Sequence, residues 1–271
     1  MNQITFIGGG NMARSLIGGL IKAGGDAGAI HVAEPFAEAR ANLEREFGVA
    51  THADNNEAIS GAEAVMLAVK PQVLPGVCAA VSATVAAEKP LVVSIAAGIR
   101  TDQIERWLDA PAAIVRVMPN TPSLIGAGAN GLFANARVSD AQRAQAQAVL
   151  EASGICEWVD DEALMDTVTA VSGSAPAYFF LMVEAMEEAA VARGLPRESA
   201  RRLAAQTCLG AGRMMIESGE APAELRRRVT SPNGTTQAAL DSLGDSDLRG
   251  IMARAMDAAR ERGAELAAAN D

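Results

Sequence analysis

The residues best suited to chemistry lie in a short polar turn at 231–236, just before an apolar-periodic run that begins at Ala238. Ser, Pro, Asn and Gly are typical turn residues, so the two threonines that follow them are predicted to open a helix. A helix start offers unpaired backbone N–H groups and the positive end of the macrodipole, which suit a small carboxylate. The hydroxyls of Thr235 and Thr236 add two hydrogen-bonding groups. The turn therefore predicts a site for a small carboxylic acid.

A glycine-rich loop follows an apolar run at 4–7 and precedes an amphipathic run at 11–23. It matches the pattern G-x-G-x-x-A: Gly8 permits a tight turn, Gly10 lets the backbone approach a pyrophosphate, and Ala13 allows close packing of helix on strand. The predicted dinucleotide loop consists of Gly8, Gly9, Gly10, Asn11, Met12 and Ala13. A cofactor loop together with a carboxylate turn predicts a dehydrogenase or reductase of a small acid.

Glu34 ends the second predicted strand, where an acid commonly binds the ribose 2′-hydroxyl of NAD and disfavours the 2′-phosphate of NADP. Arg40 lies one or two helical turns further on. It is placed either to meet a 2′-phosphate or to form a solvated surface pair. Lys70 is the one charge at the other predicted strand ends, where it would neutralise phosphate, order a ribose or cap a strand. The sequence does not decide whether the cofactor is NAD or NADP.

The elements that must position these residues follow two patterns. Strands are predicted at 4–7, 30–33, 65–69, 91–95, 114–118, after Gly128 and at 155–159, and helices at 11–23, 36–46, 72–87, 101–108 and 139–153. This alternation is typical of βαβ units around a parallel sheet covered on both faces. We predict a dinucleotide-binding domain at 1–160.

From Asp160 onward the pattern is helical, with breaks predicted at 172–176, 194–196, 219–222, 231–234 and 244–245. We predict an all-helical domain at 161–271. The run at 177–192 is apolar nearly all round in its first two turns. It is predicted to be buried inside a bundle or against a second subunit, and the size of the helical region favours the subunit.

Composition excludes several function classes. The formal charge of −10 argues against a nucleic-acid partner. Three scattered cysteines without a C-x-x-C indicate free thiols in a reducing cytosol and no metal site. No segment has the length and freedom from charge of a membrane span, and the first apolar run is interpreted as a strand rather than a signal peptide. The two histidines, His31 and His52, lie in the nucleotide-binding half, so no imidazole is available in the helical half.

Six motifs occur in order along nearly the whole chain: GGGNMA, AVKP, SIAAG, MPNTP, SGSAPAYFF and VTSPNGTTQAAL. Together they resemble the Δ1-pyrroline-5-carboxylate reductase family, and the last motif is the most specific. The resemblance implies an α/β Rossmann-like N-terminal domain followed by an all-α C-terminal dimerisation domain. It implies homodimers whose active sites combine two chains, and decamers built from dimers. The implied reaction is hydride transfer from NADPH or NADH to a cyclic imine, giving L-proline, in the cytoplasm.

The same resemblance implies residue roles. Residues 8–13 would hold the pyrophosphate; the adenosine and ribose side would be lined by Asn55, Ala68, Val69, Lys70 and Pro71, and the nicotinamide end by Ala97, Gly98, Asn120 and Thr121. The substrate carboxylate would rest on Ser231 and the backbone N–H groups of Gly234, Thr235 and Thr236. Thr236 would also hydrogen-bond the imine nitrogen. Members that favour NADPH usually carry a small hydroxyl residue where this chain has Glu34, so this departure disfavours a strong NADPH preference without excluding NADP.

Three alternatives are weaker. A reductase of another cyclic imine or keto acid would share this framework and differ only in its substrate profile. A silent dinucleotide-binding sensor would have little need for a carboxylate turn. A β-hydroxyacid dehydrogenase would normally carry a catalytic lysine early in its helical domain, and residues 160–225 contain no lysine.

Overall fold

An eight-stranded sheet organises the first part of the chain in the computed structural model, which describes residues 3–268. The strands are β1 (Ile4–Ile7), β2 (Ile30–Ala33), β3 (Ala50–His52), β4 (Ala64–Leu67), β5 (Leu91–Ser94), β6 (Ile114–Met118), β7 (Gly128–Ala134) and β8 (Gly154–Trp158). Their order is β3-β2-β1-β4-β5-β6-β7-β8, and every neighbouring pair is parallel except β6–β7. The predicted strands are confirmed. The pattern missed β3 because three residues are too few to show a period.

Helices cover both faces of this sheet. They are α1 (Asn11–Lys22), α2 (Ala37–Phe47), α3 (Asn55–Ile59), α4 (Leu74–Glu88), α5 (Thr101–Leu108) and α6 (Asp140–Glu151). One apolar core includes Phe6 and Leu16, and a second core includes Leu67 and Val81. Burial on both faces explains why the strands are nearly continuous apolar runs. The predicted Rossmann-like layers are confirmed.

The rest of the described chain is helical, with α7 (Met165–Val168), α8 (Ala175–Ala192), α9 (Arg197–Ser218), α10 (Pro222–Arg228), α11 (Thr235–Asp245) and α12 (Leu248–Ala268). Three of the five predicted breaks, 194–196, 219–222 and 231–234, separate helices here, whereas 244–245 forms the end of α11 and the break follows at Ser246 and Asp247. Within residues 159–268 the structure contains no strand. The predicted all-α C-terminal region is confirmed.

The helix break predicted at 172–176 is confined to one residue, Ser174, which lies between a π-helical turn and the first residue of α8. A π-helical turn, Thr169–Gly173, joins α7 to α8, and Ser172 Oγ donates to the carbonyl of Val168 at 2.8 Å instead of capping a new helix. Pro176 lies in the first turn of α8. The run Glu162–Ala192 has the length and composition of a membrane span, and an 18-residue window within it has a mean hydropathy of 1.2. The expectation that no segment would meet that criterion is therefore wrong.

Contacts within the chain divide it into two units, Met1–Ser174 with Ala259–Asp271, and Ala175–Ala258. The end of α12 therefore belongs to the unit that contains the sheet. Gln103 Nε2 donates to the carbonyl of Ala267 at 2.9 Å in a buried bond, and a Cβ at Gly98 would lie 3.4 Å from Leu266 Cβ. These units differ from the predicted domains 1–160 and 161–271, which stay a prediction.

A buried arginine fixes the segment after β8 to the sheet. Arg116 on β6 is 5% exposed, and it donates to Glu162 Oε1 and Asp166 Oδ1, both at 3.3 Å. Glu162 also accepts the backbone N–H of Thr101 at 2.8 Å and its hydroxyl at 2.7 Å. One ionic cluster thus joins β6, the start of α5 and α7.

The two histidines of the chain pair across adjacent strands. His52 Nε2 lies 3.1 Å from His31 Nδ1, and the stacked rings have centroids 5.1 Å apart. Burial of His31, and then the charge of His52, lower the pKa of His31 from its ordinary value of 6.5. The folded chain therefore favours a neutral His31.

This lowered pKa gives a pH prediction. Below about pH 6.5 the unfolded chain binds a proton at His31 that the folded chain resists, so we expect stability to fall as the pH is lowered through that range. The urea midpoint at about pH 7.5 and about pH 5.5 measures the change. His31→Gln should reduce the pH dependence. An identical pH dependence in the wild type and this variant would contradict the assignment.

Candidate active site

The glycine loop has the geometry of an anion cradle. Gly8 has a φ of +98°, which favours glycine, and a Cβ there would lie 2.9 Å from the carbonyl oxygen of Ala68. Gly10 is the N-cap of α1, no side chain among the described residues caps that helix, and nothing lies within 4 Å of a Cβ at Gly10. Ala13 is buried against the sheet. The start of α1 thus keeps open N–H groups that fit a dinucleotide pyrophosphate.

The strand order reverses between β1 and β4, which places a crevice at the carboxyl ends of these strands. Parallel sheets bind nucleotides at such a reversal. The candidate residues follow successive strands: the glycine loop after β1, Glu34 after β2, Asn55 after β3, Ala68, Val69, Lys70 and Pro71 after β4, Ala97 and Gly98 after β5, and Asn120 and Thr121 after β6. The fold therefore brings every candidate cofactor residue to one edge of the sheet. Their individual roles stay predictions.

Glu34 is tied to the glycine loop. Its Oε2 accepts the backbone N–H of Gly9 at 3.1 Å, and its Oε1 accepts that of Phe36 at 3.3 Å. Arg40 Nη1 donates to the carbonyl oxygens of Glu34 and Pro35 at 2.8 and 2.9 Å. Arg40 is therefore bound to the backbone of this loop and does not pair with the Glu34 carboxylate, which corrects the surface-pair alternative.

Asn120 has a structural task that the sequence did not indicate. It is 9% exposed, its Nδ2 donates to the carbonyl of Ser172 at 3.1 Å, and its Oδ1 accepts the N–H of Ala129 at 3.0 Å. The side chain thus joins the end of β6 to β7 and to the π-helical turn. Thr121 is exposed at the start of a 3₁₀ turn, Thr121–Ile125.

The carboxylate turn begins α11 as predicted. Asn233 has a φ of +58°, and Gly234 is the N-cap without any side-chain cap among the described residues. The N–H of Gly234 donates to the carbonyl of Ser231 at 3.0 Å, whereas the N–H groups of Thr235 and Thr236 remain open to a ligand. Thr235 is exposed and Thr236 is half-buried. The turn offers donors to a small anion from backbone and hydroxyl groups.

Comparison with known proteins decides the family. A pyrroline-5-carboxylate reductase of Pseudomonas aeruginosa is 52% identical over 265 residues, which cover 98% of this chain and 97% of that protein. The chain belongs to the pyrroline-5-carboxylate reductase family. A family model described as pyrroline-5-carboxylate reductase dimerisation matches residues 162–266, and one described as NADP oxidoreductase, coenzyme F420-dependent, matches residues 3–98.

Solved structures of pyrroline-5-carboxylate reductases share the fold over nearly the whole chain. The Coxiella burnetii protein has a TM-score of 0.95 at 43% identity, with 98% of each chain covered. The Plasmodium falciparum protein, with NADP bound, has a TM-score of 0.85 at 26% identity, again with 98% of each chain covered. The sequence-based family assignment and fold class are confirmed.

The helices of this reductase expose large apolar side chains. Phe180 and Leu181 on α8 are 67% and 65% exposed, and Ile216 on α9 is 83% exposed. Between these helices Glu187 accepts charged hydrogen bonds from Arg201 and Arg197, which hold its pKa below the ordinary value. So much exposed apolar surface is unusual for a lone soluble chain and marks an interaction face. It lies within the range that the dimerisation model matches.

Proposed function

We infer that this reductase catalyses the last step of proline biosynthesis, the reduction of Δ1-pyrroline-5-carboxylate to L-proline with NADPH or NADH. Bound NADPH or NADH supplies the hydride. The observation that carries the site assignment is the uncapped start of α11 with Thr235 and Thr236 beside it, on a chain of this family.

The start of α11 binds the substrate carboxylate. The open N–H groups of Thr235 and Thr236 and the hydroxyl of Ser231 belong to the same turn, and Gly234 keeps the turn closed through its bond to Ser231. A carboxylate there also gains from the positive end of the helix. This binding fixes the ring of the substrate by one end.

Thr236 orients the imine nitrogen. A cyclic imine is basic enough to be protonated near neutral pH, and the iminium already accepts hydride, so the protein needs chiefly to position it. The half-buried Thr236 hydroxyl bonds no other described residue and is free to hold the nitrogen or relay its proton. This accounts for a reductase without an imidazole in its helical half.

The proposed cofactor contacts follow from the position of the candidate residues at one edge of the sheet. Residues 8–13 hold the pyrophosphate, Asn55 and the loop after β4 line the adenosine and ribose side, and Ala97, Gly98 and Thr121 approach the nicotinamide end. The side chain of Asn120 is occupied by its bonds to Ser172 and Ala129, so Asn120 would contribute to the nicotinamide end through its backbone. These roles are supported by the shared edge and the open start of α1.

The assembly proposed here is a homodimer that pairs the exposed helix faces, with dimers combining into a decamer in the cytoplasm. A second copy would bury the apolar run Glu162–Ala192, so no membrane partner is required. The match of residues 162–266 to a dimerisation model supports this reading.

A charge on the exposed face of α8 should disrupt the dimer. Phe180 is 67% exposed, so Phe180→Glu removes apolar area from the interface and places a charge there. Sedimentation velocity should show smaller particles than the wild type at equal concentration. Phe36→Glu, at a 72% exposed phenylalanine outside these helices, is the matched control and should sediment as the wild type. Unchanged assembly of a folded Phe180→Glu protein would contradict the proposed interface.

The activity is tested by absorbance. Purified protein is mixed with Δ1-pyrroline-5-carboxylate and NADPH or NADH, and cofactor oxidation is followed with and without the imine. Substrate-dependent oxidation that yields proline is expected. Absence of oxidation with either cofactor, in protein that still binds both, would overturn the function.

A further inference from the structure

Glu34 is held by two hydrogen bonds to its carboxylate and by one from its own backbone N–H. The backbone N–H groups of Gly9 and Phe36 each donate to one of its oxygens, at 3.1 and 3.3 Å. Its own N–H donates to the carbonyl of His52 at 3.0 Å, at the end of β3. The negative charge is therefore fixed beside the glycine loop rather than free to swing into solvent.

That position is next to where a dinucleotide ribose must lie, because the pyrophosphate site is the open start of α1 directly after Gly9. Carboxylate oxygens accept hydrogen bonds from ribose hydroxyls. A 2′-phosphate has only acceptors and carries about two negative charges at neutral pH. The same fixed carboxylate thus attracts one cofactor and repels the other.

Arg40 does not offset this repulsion. Its Nη1 donates to the carbonyls of Glu34 and Pro35, so it is bound to the backbone of the loop and leaves the carboxylate without a cationic partner among the described residues. An arginine has further N–H donors. These donors would become useful to a phosphate only once the carboxylate is removed.

We propose that this reductase prefers NADH to NADPH and that Glu34 sets the preference, with Arg40 as a latent phosphate-binding residue beneath it. The inference rests on the proposed function for its biological meaning. The fixed charge itself stands on the geometry of the loop. The assignment names the cofactor where the family comparison leaves both open.

Direct binding tests the proposal without any imine present. Isothermal titration gives the Kd of NADH and of NADPH for the wild type, Glu34→Gln, Glu34→Ser, and Glu34→Ser combined with Arg40→Met. The wild type is expected to bind NADH about tenfold more tightly than NADPH, since like charges in contact cost at least that much. Glu34→Gln keeps the shape and the acceptor for Gly9 but loses the charge, and should bind NADPH more tightly than the wild type does.

The serine variants separate the two side chains. Glu34→Ser should favour NADPH, and adding Arg40→Met should remove most of that gain while leaving NADH binding nearly unchanged. Equal wild-type affinities, or a ratio that Glu34→Gln leaves unaltered, would overturn the proposal. Tight NADH binding without imine reduction would instead overturn the proposed function alone, so the two failures are distinguishable.

Discussion

Thr236→Val is expected to lower kcat by about an order of magnitude or more, because it removes the hydroxyl that we propose holds the imine nitrogen. Valine has nearly the same shape, and the backbone N–H that faces the carboxylate remains. We therefore expect the Kd of NADH and NADPH to change little. Steady-state kinetics with Δ1-pyrroline-5-carboxylate, together with cofactor titration, measures both quantities.

Thr236→Ser is the matched control for that experiment. It keeps the hydroxyl and loses only a methyl group, so most of the turnover should return. A helix-starting role alone would be worth about 1 kcal/mol of stability and would leave kcat unaltered. Unchanged turnover in folded Thr236→Val would therefore remove Thr236 from the mechanism.

Arg116→Met is expected to cost about 3–5 kcal/mol of stability, the usual penalty for removing one partner of a buried ionic cluster. Arg116 is 5% exposed and bonds both Glu162 and Asp166, whose carboxylates would be left beside each other. Urea unfolding followed by circular dichroism, at one protein concentration, gives the difference in midpoint. We expect the variant to unfold at a clearly lower urea concentration.

Arg137→Met provides the comparison for Arg116. Arg137 also pairs with a carboxylate, that of Glu105 at 2.7 Å, but it is 53% exposed. Surface pairs contribute about 0–1 kcal/mol, so its midpoint should move little. Similar midpoints for the two variants would show that the Arg116 cluster does not stabilise the fold as its burial suggests.

The sequence predicts the layers of the fold because the strands and helices that form them are determined by short local patterns. Continuous apolar runs such as 91–95 require a sheet covered on both faces, and the helix starts at Asn11 and Thr235 follow from turn residues beside them. The glycine loop is likewise local: its spacing predicts the tight turn at Gly8, whose φ is +98°. These features need no knowledge of distant residues.

Other features depend on partners far along the chain. Asn120 bonds Ser172, and Arg116 bonds Glu162 and Asp166, so no pattern around either residue could indicate its task. The π-helical turn at Thr169–Gly173 was not predicted, because the serines and the proline at 172–176 indicated a longer break between helices than the single residue Ser174.

The helix α12 spans both units, and this affects the order in which the chain can fold during synthesis on the ribosome. The sheet and its helices are translated first, yet the turn after β5 and the start of α5 pack against Leu266 and Ala267. Domains generally fold as units while the chain emerges. Here Gln103 emerges early but bonds Ala267, which is among the last described residues to be synthesised. The nucleotide-binding half can therefore be completed only after the helices that follow it have been made.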